Sequence, residues 1–332
     1  MKLCIIIILT ALIASNSFSQ VPLILRPCGQ QQKLPFKTVE IIDNRDEKQI
    51  LGFVQVGIGN VTRLVTFDGI LADTLAKFFP PAPVSSSNPQ SLVILLDQLY
   101  MDENTEYTET GLLKISMRFF SDSIPGKFSE IWTLDQSFET KGSDVTAKML
   151  TDISKIICRI SQEVPNHKVA INQEVYTRAE LNQLDSLEII KLPIFTADKP
   201  RAGIFKDYAH FKSNTPDIET EMFIEDSRKK TNVARLYGEK RKKVWIETKG
   251  IYAVSDGNRM FKATSYGFFE IKKGARELYY ERNASYTELA GPANTYFGAT
   301  GSLVPLRKDM PRRYKLKINH RRGNIIPIAI QQ

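Results

Sequence analysis

Apolar and polar positions alternate along much of this chain, and the alternation predicts strands. Phe36–Asp43 (FKTVEIID) alternates and is β-branched, so it predicts a first strand. Asn44–Lys48 is a charged turn. Ile50–Ile58 (ILGFVQVGI) predicts a second strand with glycine interruptions, and Leu64–Phe67 stays extended. The period changes over Phe67–Phe79. There Ile70, Leu71, Thr74, Leu75, Phe78 and Phe79 form a helical stripe behind Asp68 as the expected N-cap. Pro80, Pro81 and Pro83 end it. Three long β segments follow, Ser91–Met101, Gly111–Phe120 and Phe128–Phe138. Asp144–Glu163 then places Met149, Ile153, Ile156, Ile157 and Ile160 at helical spacing. The order strand, strand, helix, three strands, helix implies an α+β domain. Its mainly antiparallel sheet would carry both helices on one face.

The remainder predicts a second, mainly β domain. Val164–Gln173 is a polar connector. Tyr176–Ile190 predicts a short helix capped near Thr177, with Glu180 three residues later. Gly203–Lys212 predicts one or two helical turns. Glu219–Glu225, Lys229–Glu239 and Val244–Thr248 predict strands, the last two as a hairpin. Asp256-Gly257 between IYAVS and RMFKATS is the strongest hairpin signal in the chain. FFEIKK and RELYYE follow, and Tyr314–Ile318 with Asn324–Ile330 predicts a closing pair around Arg321–Gly323. The expected organisation is an α+β domain at 36–163, a linker with a short helix at 164–199, and a basic, mainly β domain at 200–332.

The first nineteen residues read differently. Lys2 is followed by an apolar run, Leu3–Ile13, and then small residues, with Ser17 and Ser19 preceding Gln20. That is the layout of a cleavable secretory signal, and the run is too short to span a bilayer, which needs roughly 20 residues. The expectation is export to the periplasm, the outer-membrane surface or the medium. Cys4 lies within the apolar run, upstream of the expected cut, so it is no lipid-attachment cysteine. No later segment is an expected transmembrane span.

Charge is uneven. Residues 199–332 hold 27 Lys/Arg and 14 Asp/Glu, net +13, whereas residues 20–198 hold 17 and 23, net −6. A basic half attracts anionic partners; it would equally suit the acidic half of the same chain, or a solvated surface. Cys28 and Cys158 are the cysteines left after processing, and an oxidising compartment invites one disulfide between them. The apolar setting of Cys158 (IICRI) also suits a buried thiol.

The run VEIIDNRDEKQILGFVQ, with Asp43-x-Arg45 after a strand and a glycine several residues on, precedes the helix LADTLAKFF and a strand ending LDQLYMDE. With two more strands and a closing helix, residues 36–163 resemble the YajG-like putative lipoproteins of Gram-negative envelopes. The resemblance implies an envelope location and no catalytic residues. This chain lacks the family's lipid-attachment cysteine, and its second domain has no counterpart there.

Candidate chemistry is sparse. Asp43, Arg45 and Asp46 form a polar cluster at a strand end, either a recognition patch or an ordinary turn. His167, His210 and His320 lack zinc-ligand spacing, and no GxSxG, Walker A or GxGxxG motif occurs. No cofactor or metal is therefore expected. Glu247, Asp256, Glu270 and Glu281 could supply a carboxylate pair for glycan or peptide hydrolysis. Two basic clusters stand out: Lys240, Arg241, Lys242 and Lys243, and Arg312, Arg313, Lys315, Lys317, Arg321 and Arg322. Tyr237, Trp245, Tyr266 and Tyr314 interleave with them. The pattern suits an anionic lipid or glycan surface, or edge strands protected by lysine; export disfavours nucleic acid. The leading expectation is a non-enzymatic envelope or secreted binding module. The alternatives are an extracellular hydrolase and a subunit of a larger envelope assembly.

Overall fold

The computed structural model describes residues 20–331 except 30, 46, 57–60, 84–89, 105–108, 143–144, 169–173, 228–230 and 285–311. The expected signal at 1–19 and Asp46 lie outside the described residues. The chain divides into two compact units between Asn182 and Gln183.

The first unit contains β1 (Val21–Pro22), β2 (Thr38–Asp43), β3 (Ile50–Val56), β4 (Val61–Thr66) and a helix at Leu71–Ala76. Then come β5 (Ser91–Asn104), β6 (Glu109–Ile124), β7 (Lys127–Gly142), a helix at Val145–Glu163 and β8 (Val175–Thr177). The sheet order is β1-β4-β3-β5-β6-β7-β8, with β2 also paired to β5. β2 runs parallel to β5 from Thr38 opposite Ser91 to Asp43 opposite Leu96, and Gly52 of β3 comes opposite Met101 further along. One side of β5 is thus met twice, first by β2 and then by β3. The pairs β5·β6 and β6·β7 are antiparallel over most of their lengths. The fold is α+β, and both helices feed one apolar core.

The long helix buries Val145, Met149, Ile153, Ile156, Ile157 and Ile160 against Ile115, Met117 and Phe119 of β6 and Leu92, Ile94 and Leu96 of β5. Each such side chain contributes roughly 1.5–3 kcal/mol through its removal from water. A disulfide joins Cys28 to Cys158 of this helix across 130 residues, with Cα atoms 5.8 Å apart. It fixes the N-terminal segment on the helix, where the Arg26 N–H also donates to Ser154 Oγ at 2.9 Å.

Two local expectations change. The first helix begins at Leu71, and its N-cap is Ile70 with no side-chain cap. Gly69, at φ 96°, turns the chain between Asp68 and the helix, so Asp68 does not cap it. The stretch 164–199, expected as a linker, is shared between the units. Val175–Thr177 adds a strand beside β7. Thr177 and Glu180 form the anticipated capping box on a one-turn helix, Arg178–Leu181. The helix expected to run on to Ile190 breaks there and restarts as Leu184–Ile189 in the second unit.

The second unit begins with helices at Leu184–Ile189 and Pro193–Thr196, β9 (Gly203–Phe205) and a helix at Tyr208–Lys212. β10 (Ile218–Glu219), β11 (Met222–Asp226), β12 (Thr231–Tyr237), β13 (Lys242–Trp245), β14 (Ala253–Ser255) and β15 (Met260–Thr264) follow. β16 (Gly267–Lys273), β17 (Leu278–Ala284), β18 (Arg312–Ile318) and β19 (Ile325–Gln331) complete it. The main path is β10-β9-β14-β15-β16-β17-β18-β19, and β11-β12-β13 is a three-stranded ribbon joined to β16 at Thr231. One core gathers Ile189, Ile194, Phe195, Phe205, Phe211, Tyr252, Ile271, Leu278 and Ile318. A second gathers Met222, Val233, Val254, Phe261 and Phe268 under the ribbon.

Candidate binding surface

The β12–β13 hairpin carries the first basic cluster. Cross-strand partners are Tyr237 with Lys242, Leu236 with Lys243, and Ala234 with Trp245; Phe223 of β11 lies beside Ala234. Alternation then places Tyr237 and Lys242 on one face, and Phe223, Leu236, Lys243 and Trp245 on the other. Val233 shares the Tyr237 face but is buried in the core nearer the base of the ribbon. Every residue from Tyr237 to Lys243 is exposed. Tyr237 is 69% and Trp245 51% exposed.

The turn uses Gly238 at φ 68° and Arg241 at φ 51°, and the Arg241 N–H donates to the Gly238 carbonyl at 2.9 Å. Arg241 pairs with Glu221. The Lys243 ammonium lies 3.3 Å from the Phe223 ring centroid, and Trp245 meets Phe223 edge-on at 6.3 Å. Lys240 and Lys242 have no ion pair among the described residues.

The second basic cluster lies elsewhere in the unit. β18 pairs with β17 and β19, and among the described residues no strand pairing links it to β12 or β13. Lys315 pairs with Glu277 and sits 4.3 Å from the Tyr279 ring centroid. Arg321 Nε is 3.9 Å from Glu188. Lys317 is half-buried, and Arg322, also half-buried, closes the turn by donating its N–H to Asn319. The side chains of Arg312 and Arg313 lie outside the described residues. The ten residues expected to contact anions thus form two separate groups, and carboxylates already compensate Arg241, Lys315 and Arg321. The pairing follows from the fold, which sets acidic residues from other elements beside these strands.

In the first unit, Arg45 is buried and donates Nε and Nη2 to the Asp43 carboxylate at 2.9 and 2.8 Å, and Nη2 also to the Lys48 carbonyl at 2.9 Å. Among the described residues its buried Nη1 has no hydrogen-bond partner. Next to it, Asp97 accepts from Asn44 at 3.0 Å and from the wholly buried Arg118 at 2.7 and 2.9 Å. Arg45 therefore turns inward and pairs with Asp43. Nothing local in the sequence marks Asp97 and Arg118 as partners; the signal they leave is a charge inside each of two apolar strand runs, VILLDQLY and ISMRFF.

The fold also assembles titratable groups distant in sequence. His320 is buried in the β18–β19 turn, its Nε2 2.7 Å from Glu188 and 4.0 Å from Asp185. These three ligand-type atoms lie within 4.8 Å of one another. Asp207, His210 and Asp217 form an exposed group, and the backbone N–H that His210 donates holds the Asp207 carboxyl below its ordinary range. Lys262 is buried on β15, donating to the carbonyls of Tyr252 and Ala263 at 3.1 and 2.9 Å; burial lowers its ammonium from 10.5 to about 7. His167, the remaining histidine, stacks on Trp132 at 4.2 Å.

Of the carboxylates weighed for hydrolysis, Glu270 and Glu281 line one open cleft of about 400 Å³ with Lys272, Arg282 and Asn283. Glu281 pairs with Lys272 at 3.3 Å. The cleft forms where β16 and β17, paired through Lys272–Tyr279 and Lys273–Leu278, separate.

No family model matches the sequence, and no curated relative does. Two solved structures are similar to part of the chain. One is a DUF330 protein from Xanthomonas campestris, 10% identical, covering 44% of this chain and 92% of that one at a TM-score of 0.29. The other, an uncharacterized protein, is 8% identical and covers 43% of this chain and 98% of that one at 0.24. Among the described residues no helix is long and apolar enough to cross a membrane.

Proposed function

We propose that this chain is an exported, non-enzymatic binding module of the envelope or the secreted fraction. Its second unit would attach it to an anionic surface. The observation that carries the reading is the β12–β13 hairpin: Lys240, Lys242 and Lys243 are exposed, the first two without an ion pair, between the exposed rings of Tyr237 and Trp245. Residues 221–250 contain nine basic and five acidic residues, so the ribbon retains net positive charge after its internal pairs. Such a surface raises the local concentration of anionic partners, and salt weakens the attraction.

Export is part of the proposal. The signal-like residues 1–19 support it. So does the Cys28–Cys158 disulfide, a bond that persists in oxidising compartments and is rare in the cytosol. The YajG-like pattern of residues 36–163 fits the same setting. The test is retention of the mature protein on anionic lipid or acidic glycan against a neutral matrix. Retention on the anionic matrices alone, released by salt, supports the reading; equal retention on charged and neutral matrices contradicts it.

A further inference from the structure

We infer that the β12–β13 hairpin is a wedge that enters the headgroup layer of an anionic lipid membrane. The inference rests on the reading above and narrows the partner to lipid.

Three observations favour lipid over a glycan. The tip is two strands wide and exposed without interruption from Tyr237 to Lys243. The hairpin carries exposed rings on opposite faces: Tyr237 with Lys242 at the tip, and Trp245 on the face of Lys243, three residue pairs back, where β11 flanks β12. A flat ligand such as a sugar stacks on one face, whereas a surrounding headgroup layer solvates both. The residue types are also those that settle at membrane interfaces: Trp and Tyr keep an apolar body and a polar edge there, and Lys reaches the phosphates.

The charge fits as well. Glu221 holds Arg241, and with Glu239 counted the three tip lysines leave a net charge of +2. Lys240, Lys242 and Lys243 face phosphate, each raising partitioning onto an anionic surface roughly fivefold. The Lys243 ammonium stands over Phe223, so the Trp245 face couples an apolar platform to a cation at its rim.

The experiment uses the full mature protein carrying Trp132→Phe, which leaves Trp245 as the sole tryptophan. It is mixed with phosphatidylglycerol–phosphatidylcholine vesicles, with phosphatidylcholine vesicles, and with a soluble acidic polysaccharide. Sedimentation reports binding, and Trp245 emission with acrylamide quenching reports insertion. The wedge predicts sedimentation with anionic vesicles only, a blue-shifted Trp245 and protection from quenching. Lys240→Gln, Lys242→Gln and Lys243→Gln together should lower partitioning on the order of a hundredfold, with an unchanged circular dichroism spectrum. Salt-sensitive sedimentation with unchanged Trp245 emission would overturn the wedge and leave the surface-binding reading standing. A Trp245 response to the polysaccharide and none to vesicles would overturn lipid as the partner. No association with any anionic partner would overturn both.

Discussion

Asp97 and Arg118 form a two-bond ion pair inside the first sheet, and a β-bulge brings them together. Leu96 pairs with Met117 and Gln98 with Ser116, which leaves Asp97 as the extra residue of β5. A bulge re-aims its side chain, here toward the Arg118 guanidinium and the Asn44 amide. Because Arg118 is wholly buried, removing the Asp97 carboxylate takes away a counter-charge that solvent cannot replace. Asp97→Ala should destabilise the protein by roughly 3–5 kcal/mol, and Asp97→Ala with Arg118→Met should recover much of that. Urea unfolding of the two variants checks the difference; equal losses would mean the pair is not coupled.

Lys262 makes stability depend on pH. Burial lowers its ammonium from 10.5 to about 7. Below pH 7 the folded and unfolded chains both hold the proton, and the folded chain bears the full desolvation cost. Above pH 10.5 neither holds it. In between, the unfolded chain binds more protons, so this residue makes stability rise with pH from 7 to 10.5. Lys262→Met should remove that component, a change on the order of a few kcal/mol, and should stabilise the protein most at the acid end. Urea midpoints across that range test it; identical pH profiles would refute it.

The disulfide should matter chiefly through the unfolded chain, since it closes a 130-residue separation. Cys28→Ser with Cys158→Ser should cost about 2–5 kcal/mol. Reductant should lower the melting temperature of the wild type and leave the double variant unchanged.

Gly323 closes the β18–β19 turn at φ 75°, and a Cβ there would collide with the Tyr208 ring. The Tyr208 hydroxyl donates to the His320 carbonyl at 2.5 Å and the Tyr252 hydroxyl to the Gly323 carbonyl at 2.9 Å, so two buried tyrosines hold this turn. Gly323→Ala should cost roughly 1–3 kcal/mol or more through overpacking and backbone strain. A urea midpoint matching wild type would contradict that packing.

Local signals in the sequence carried far. Alternation located the long strands, the apolar spacing of Met149 to Ile160 located the main helix, and Asp256-Gly257 marked a real turn, with Asp256 accepting from the N–H groups of Asn258 and Arg259. Non-local relationships stayed hidden. Nothing in FKTVEIID announces parallel pairing with residues 53 positions away. His320 meets Glu188 across 132 residues, a distance over which spacing rules say nothing. The basic runs were legible as charge, but their separation and the carboxylates beside Arg241 and Lys315 depend on strand order.

Attachment should depend on the β12–β13 hairpin. The direct measurement compares the wild-type protein lacking residues 1–19 with its Lys240→Gln, Lys242→Gln, Lys243→Gln variant on one anionic surface across a salt series. The account predicts that the wild type is held at low salt and released as salt rises, while the variant is held far less throughout. Equal retention of the two proteins at every salt concentration would contradict it.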